Sequence, residues 1–158
     1  MILQTERMNI RLSSDDEMRE LILNEKDEGL KQAYGEMLSC ALENSAERQW
    51  YAVWFIEDKG GKRLGDLCFK GLSSDGNVEI GYGILPEYWG NGYMTEAVKA
   101  VSEWAFLQTG VNCITAETEE DNIASQKVLI KSGFIKTGEY GEEGPIFTLS
   151  KYKTKEDN

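Results

Sequence analysis

Asn77-Val78-Glu79-Ile80-Gly81-Tyr82-Gly83-Ile84-Leu85, followed by Pro86-Glu87-Tyr88-Trp89-Gly90-Asn91-Gly92-Tyr93-Met94-Thr95, is the stretch on which the reading of this chain turns. In its first part Val78, Ile80, Tyr82 and Ile84 alternate with Glu79, Gly81, Gly83 and Leu85, the two-residue period of a strand with one face toward a core. The other face sets one carboxylate beside two residues without side chains, and glycine inside a strand marks a bulge or a close approach of ligand or backbone. It reads as a groove wall. Downstream, Met94, Ala97, Val98, Val101, Trp104 and Ala105 form one stripe at helical spacing, so a helix begins near Gly92. Its first turn offers unpaired N–H groups and the positive end of the macrodipole, and Gly90 and Gly92 let an anion come close. A phosphate or pyrophosphate suits such a place, and a tight turn without ligand satisfies the same Gly-x-Gly spacing. There is no Gly-Lys-Ser/Thr for a P-loop and no third glycine at Rossmann spacing.

A chain of 158 residues suits one domain, here 1–158 with a core of about 3–151 and a polar tail over 152–158. No apolar run is long enough to span a membrane and no N-terminal signal pattern is present, so a cytoplasmic protein is expected. The formal charge of -11 argues against binding nucleic acid or an anionic membrane. Cys40, Cys68 and Cys113 are odd in number and sit in apolar periodic segments, which predicts buried free thiols rather than disulfides. The absence of histidine removes the usual general base and the commonest zinc ligand, so no metal is expected and acid–base chemistry falls to carboxylates, hydroxyls, water or the substrate.

Taken in order, Leu3 to Leu12 predicts a strand, and Ser13-Ser14-Asp15-Asp16 caps a helix reaching about Lys26. A second helix from about Leu30 to Glu43 carries the stripe Leu30, Ala33, Tyr34, Met37, Leu38, Ala41 and Leu42. Trp50 to Ile56 predicts a strand covered on both faces, paired through the turn Asp58-Lys59-Gly60-Gly61 with a strand from about Arg63 to Phe69. After the central helix come a strand from Asn112 to Thr118, a helix from Ile123 to Ser132 closed by Gly133, and two strands, Phe134 to Tyr140 and Ile146 to Lys151.

The run from Glu79 to Ala97, joined to Asn122-x-x-Ser125 and Lys131-Ser132-Gly133-Phe134, resembles the acetyl-CoA-binding motifs of the GCN5-related N-acetyltransferases. The branch it resembles most contains the ribosomal-protein N-terminal acetyltransferases, whose start is similar to Leu3-x-Thr5-Glu6-Arg7. The chain departs from the family pattern in carrying Trp89 at its first place and Met94 at its last. The resemblance implies an α+β fold: a mixed, mostly antiparallel sheet of six to seven strands, splayed at the centre, with about four helices. It implies acetyl-CoA as co-substrate and acetyl transfer by direct attack of a primary amine, from a small molecule or a protein N-terminus, in a monomer or homodimer. A rival reading is a catalytically weak acyl-CoA-binding regulatory domain.

By the same resemblance the pantetheine would run along Ile84 and Leu85, and the pyrophosphate would meet the amides of Trp89, Gly90, Asn91, Gly92, Tyr93, Met94 and Thr95. Asn122 is a CoA contact in that pattern and a helix N-cap by its position, roles that can coexist. Ser125 would protonate the departing thiolate, or would bond the helix carbonyl four residues back. Glu79 is the candidate general base, acting through a water, with Glu117 in reserve. Tyr34 and Met37 are candidates to line the acceptor pocket, and Glu142 and Glu143, with Glu139 just before them, to favour an acceptor with a further positive charge.

Overall fold

In the computed structural model, which describes residues 1–151, short hydrophobic runs form strands β1 (Ile2–Gln4) and β2 (Met8–Leu12), followed by helices α1 (Asp15–Asn24) and α2 (Glu28–Glu43) and a 3-10 turn over Ser45–Trp50. Strands β3 (Trp54–Asp58), β4 (Arg63–Leu72) and β5 (Asn77–Ile84) come next, then helix α3 (Tyr93–Phe106), strand β6 (Cys113–Glu117), helix α4 (Ile123–Lys131) and strands β7 (Ile135–Tyr140) and β8 (Pro145–Ser150). The strands make one sheet in the order β1-β2-β3-β4-β5-β6-β8-β7. Every neighbouring pair is antiparallel except β5 and β6.

That exception positions the site. The parallel pair holds only from Asn77–Cys113 to Glu79–Thr115, while β6 stays bound to β8 as far as Glu117 opposite Ile146. Beyond Glu79 the two central strands part. The β6-facing edge of β5 is therefore left with unpaired backbone groups that need other partners.

Each helix start follows from its sequence. Ser14 and Glu17 form a reciprocal capping box on α1, Asp27 accepts the Leu30 N–H on α2, and Asn122 accepts the Ser125 N–H on α4. The α3 stripe of Ala97, Val98, Val101 and Ala105 packs in one core with Val78 and Ile80 of β5. Burial of each valine and isoleucine among them stabilises the fold by about 1.5–3 kcal/mol. On the opposite side of the sheet Met18, Tyr34 and Ala41 cover Val53 and Phe55.

Eight strands form where six to seven are expected, because the first one is broken. Thr5 turns the chain by donating its N–H to the Met8 carbonyl (2.9 Å) and accepting the Met8 N–H on its hydroxyl (3.0 Å), so β1 folds back on β2. The strand expected from Trp50 begins only at Trp54. Trp50 instead closes the 3-10 turn with its ring edge-on to Phe69 at 5.1 Å, and the Val53 carbonyl is taken by Ser13. An apolar run records burial, and a buried irregular segment meets that condition as well as a strand does. Cys40 departs from expectation too, lying exposed on α2, while Cys68 and Cys113 are partly buried; all three thiols are free. Among the described residues no helix is long and apolar enough to cross a membrane. The polar tail over 152–158 lies outside the described residues.

Candidate active site

Where β5 leaves β6, a groove of about 590 Å³ opens between β5, the loop before α3, the first turn of α3 and one face of α4. The helix start at its floor is uncapped by any side chain: Gly92 stands at the N-cap with φ +76°, and Gly90 has φ +81° with nothing within 4 Å of where a Cβ would be. Both dihedrals are in the left-handed region that favours glycine. The result is a set of open N–H donors at a positive helix end. Lys127 and Lys131, one turn apart on α4, border the same groove and add two cations. A cradle with this donor set fits the phosphates of a nucleotide-like cofactor.

The loop is braced from outside. Asn91 turns its amide inward to the carbonyls of Tyr88 (3.0 Å) and Trp89 (3.3 Å), and Arg7 donates to the Asn91 carbonyl at 2.8 Å. The same guanidinium pairs with Glu96 at 2.8 Å and lies 4.4 Å from the centroid of the Tyr93 ring. Of the expected cofactor residues, Ile84, Trp89, Gly90, Gly92, Tyr93, Met94, Thr95 and Asn122 line the groove. Leu85 and Asn91 do not: Leu85 falls on the other face by strand alternation, and the Asn91 side chain is spent inside the loop. Met94 is buried in the core cluster while also bordering the groove.

A second cavity, about 280 Å³, lies on the opposite face of β5 beneath α2. It exists because of register. Cys68 pairs with Gly81 and Asp66 with Gly83, so two β4 side chains stand opposite positions that have none. A Cβ added at Gly83 would meet nothing within 4 Å. Tyr34 and Met37 of α2 close the cavity together with Leu30, Val53 and Leu67. Tyr34 Oη donates to Asp66 Oδ2 at 3.1 Å. Burial pushes the Asp66 carboxyl up from its ordinary range, against the hydrogen bond from Tyr34 and the charge of Arg63. Burial also pushes the Cys68 thiol up to about 11, which keeps it protonated at neutral pH and unsuited to nucleophilic attack.

Tyr82 and Gly83 border both spaces. The Tyr82 hydroxyl lies 3.0 Å from Ser125 Oγ and donates to the Ser125 carbonyl at 3.2 Å. Ser125 thus pairs across to β5, where one of its two expected alternatives had it bonding its own helix. Burial raises the Tyr82 hydroxyl above its ordinary range, so the pair retains its protons at neutral pH.

The expected acidic residues lie apart from both cavities. Glu79 is held by Lys70 Nζ at 2.6 Å, and Glu117 accepts the Glu143 N–H at 2.8 Å, bracing the turn between β7 and β8. Glu142 and Glu143 are exposed in that turn, and none of the four lines either cavity. Among the lining residues that escaped the sequence reading are Asp66, Tyr82, Lys127 and Lys131. The lysines had a local signal, their four-residue spacing on the helix that Asn122 caps. Asp66 had none, because only the β4–β5 register sets it opposite Gly83.

The family described as "Acetyltransferase (GNAT) domain" matches residues 4–135. The uncharacterized N-acetyltransferase YoaA of Bacillus subtilis (strain 168) is 30% identical over 149 residues, which span 87% of this chain and 84% of that protein. A ribosomal-protein-S5-alanine acetyltransferase from Vibrio fischeri has the same fold at a TM-score of 0.74, with 18% identity over 96% of this chain and 97% of its own. The ribosomal L7/L12 alpha-N-protein acetyltransferase RimL, solved in complex with coenzyme A, has a TM-score of 0.71 at 16% identity, covering 95% of this chain and 98% of its own. With a matched domain that runs through β5, the open start of α3 and the Asn122 cap, the chain belongs to the GNAT family of acetyltransferases.

Proposed function

We propose that this protein transfers an acetyl group from acetyl-CoA to a primary amine, taking the cofactor in the larger groove and the amine in the smaller cavity. The observation that carries this reading is that the two spaces lie on opposite faces of one strand and share Tyr82 and Gly83. The coenzyme A held by the RimL structure, and the amine acceptors named for RimL and the Vibrio fischeri enzyme, support it. The amides from Gly90 to Thr95, with Lys127 and Lys131, would hold the phosphates, and the free edge of β5 would receive the amide groups of the pantetheine. Acetyl-CoA supplies an activated acetyl group as its thioester. The chain's own part is to bring that group and a neutral amine into line, which alone lowers the barrier substantially. In this reading the Ser125–Tyr82 hydroxyl pair, joined at 3.0 Å, would give a proton to the departing sulfur.

The test is release of CoA thiol from acetyl-CoA with 2-phenylethylamine, n-hexylamine, spermidine and a tetrapeptide with a free N-terminus as acceptors. Release above the amine-free rate for at least one acceptor is expected. Thermal stabilisation by acetyl-CoA without release from any of them would leave a binding domain and sink the catalytic reading.

A further inference from the structure

Asp66 is partly buried beside Leu30, Met37, Val53 and Leu67, and the hydrogen bond that its side chain makes comes from Tyr34. Among the described residues no ion pair reaches it. The cation that acts on it, Arg63, has its guanidinium 3.8 Å from the centroid of the Phe55 ring. A carboxylate withdrawn from water with no counter-ion is costly, and a site that retains one gains by receiving a cation. Asp66 is moreover the cross-strand partner of Gly83, one of the two residues common to both cavities.

We propose that Asp66 receives the ammonium group of the acceptor and takes its proton, and that the acceptor is a small primary amine with an apolar body. This rests on the acetyl-transfer reading above. The cavity has the volume of a small-ligand site, about 280 Å³, and apolar walls with a single carboxylate among its lining residues. Besides Tyr82, whose hydroxyl is engaged by Ser125 across the strand, the polar side chains that line it are those of Tyr34, Asp66 and Cys68, too few to satisfy the backbone of a bound peptide. A polyamine would place its second ammonium against hydrocarbon, at a desolvation cost no group in the cavity offsets.

The step balances simply. The ammonium gives one proton to the Asp66 carboxylate; the neutral nitrogen forms its bond to the acetyl carbon as the carbon–sulfur bond breaks. The nitrogen loses a second proton to water, the sulfur gains one, and Asp66 returns its proton to solvent. The groups acting on Asp66 are Tyr34 from α2, Glu25 just beyond α1, and Arg63 on its own strand, with Cys68 beside it. Tyr34 favours the carboxylate by hydrogen bonding, whereas burial and Glu25 favour the protonated form. A carboxyl raised in this way is a better proton acceptor than a solvated one.

The experiment compares the parent with Asp66→Asn and Tyr34→Phe in three measurements: acetyl-CoA affinity, calorimetric binding of 2-phenylethylamine to CoA-saturated protein, and the pH profile of kcat/KM. Asp66→Asn is expected to keep acetyl-CoA affinity within about twofold, to weaken amine binding about tenfold and to lower kcat/KM by about 100-fold. Tyr34→Phe should shift the acidic limb of the profile to higher pH, because the bond that favours the carboxylate is gone; a merely structural tyrosine would leave the limb in place. If Asp66→Asn fails to fold, the Tyr34→Phe limb decides, and an unmoved limb overturns the assignment. Unchanged amine binding and kcat/KM in a folded Asp66→Asn overturn it as well, as does preference of the parent for the tetrapeptide or spermidine over 2-phenylethylamine. Failure of the parent to bind acetyl-CoA, or to release thiol with any acceptor, is a different result: it removes the acetyl-transfer reading and the Asp66 assignment with it.

Discussion

The two sides of β5 are built on opposite plans. The groove toward α4 is made largely of backbone: an unpaired strand edge, two left-handed glycines and the bare first turn of α3, all within Ile80 to Thr95. The cavity toward α2 is made of side chains brought from Tyr34, Met37, Asp66 and Cys68 to face the bare positions Gly81 and Gly83. A site made of amides tolerates changes of side chain so long as dihedrals are kept, which is how Trp89 and Met94 can stand where the family commonly has other residues. A site made of side chains is defined by the particular residues that line it. The first plan suits a cofactor common to a family, and the second suits an acceptor peculiar to one member.

The contrast predicts that substitutions on the two sides separate cleanly. The largest effect is expected from Gly92→Val, which forces a β-branched residue into φ +76° and displaces the amides it introduces. Acetyl-CoA affinity measured by calorimetry should fall by about 100-fold. Affinity equal to the parent's would show that the loop is not the phosphate site.

Gly83→Leu comes next and probes the other side. Its side chain enters space that is open to at least 4 Å at the Cβ and, by strand alternation, faces Asp66. The KM for the amine should rise about tenfold while acetyl-CoA affinity stays within about twofold. An equal loss of both would mean that the two spaces are one.

A smaller effect concerns stability. Because the folded-state carboxyl of Asp66 titrates above its unfolded value, the native protein binds more protons across that interval, and stability is lost as pH rises through the folded pKa. Asp66→Asn removes the charge that causes this loss. Its Tm should exceed the parent's by roughly 3 °C at neutral pH, with the gap closing toward the unfolded aspartate range. A lower Tm at neutral pH would mean that the carboxylate is already well compensated.

Glu79→Gln should do least. The Lys70–Glu79 pair is 48% and 32% exposed at its two side chains, and exposed pairs contribute about 0–1 kcal/mol. Turnover should stay within about twofold. An acidic limb displaced by this change, with Asp66→Asn silent, would return the base to Glu79 and reverse the roles assigned on the α2 side.

The same contrast explains what the sequence disclosed. The alternation around Ile80, the stripe on α3 and the Asn122 cap are local patterns of period two, period 3.6 and fixed offset, and each element formed where its pattern lay. They located the strand and the two helices that border the groove, while the splay between the central strands was implied by the family resemblance. The turn at Thr5 escaped because a hydroxyl-capped reversal inside an alternating run leaves the alternation intact on both sides. Asp66 escaped because its meaning depends on facing Gly83 and touching Tyr34, which lies 32 positions earlier in the chain. Glu79 was conspicuous for the reverse reason: its glycine neighbours were visible, whereas Lys70, nine positions away across the β4–β5 turn, was not.

Arg7 ties the N-terminal hairpin to the cofactor loop through the Asn91 carbonyl, Glu96 and the Tyr93 ring, while the Arg7 N–H and the Thr5 hydroxyl also bond Glu96. The N-terminal hairpin and the cofactor loop are therefore one thermodynamic unit. Linkage is reciprocal: whatever free energy the first strands contribute to holding the loop ready, a bound cofactor returns to them. Fraying at the amino terminus and loss of cofactor are then a single event observed from its two ends, and the protection of the Arg7 amide against hydrogen exchange becomes a gauge of how full the groove is.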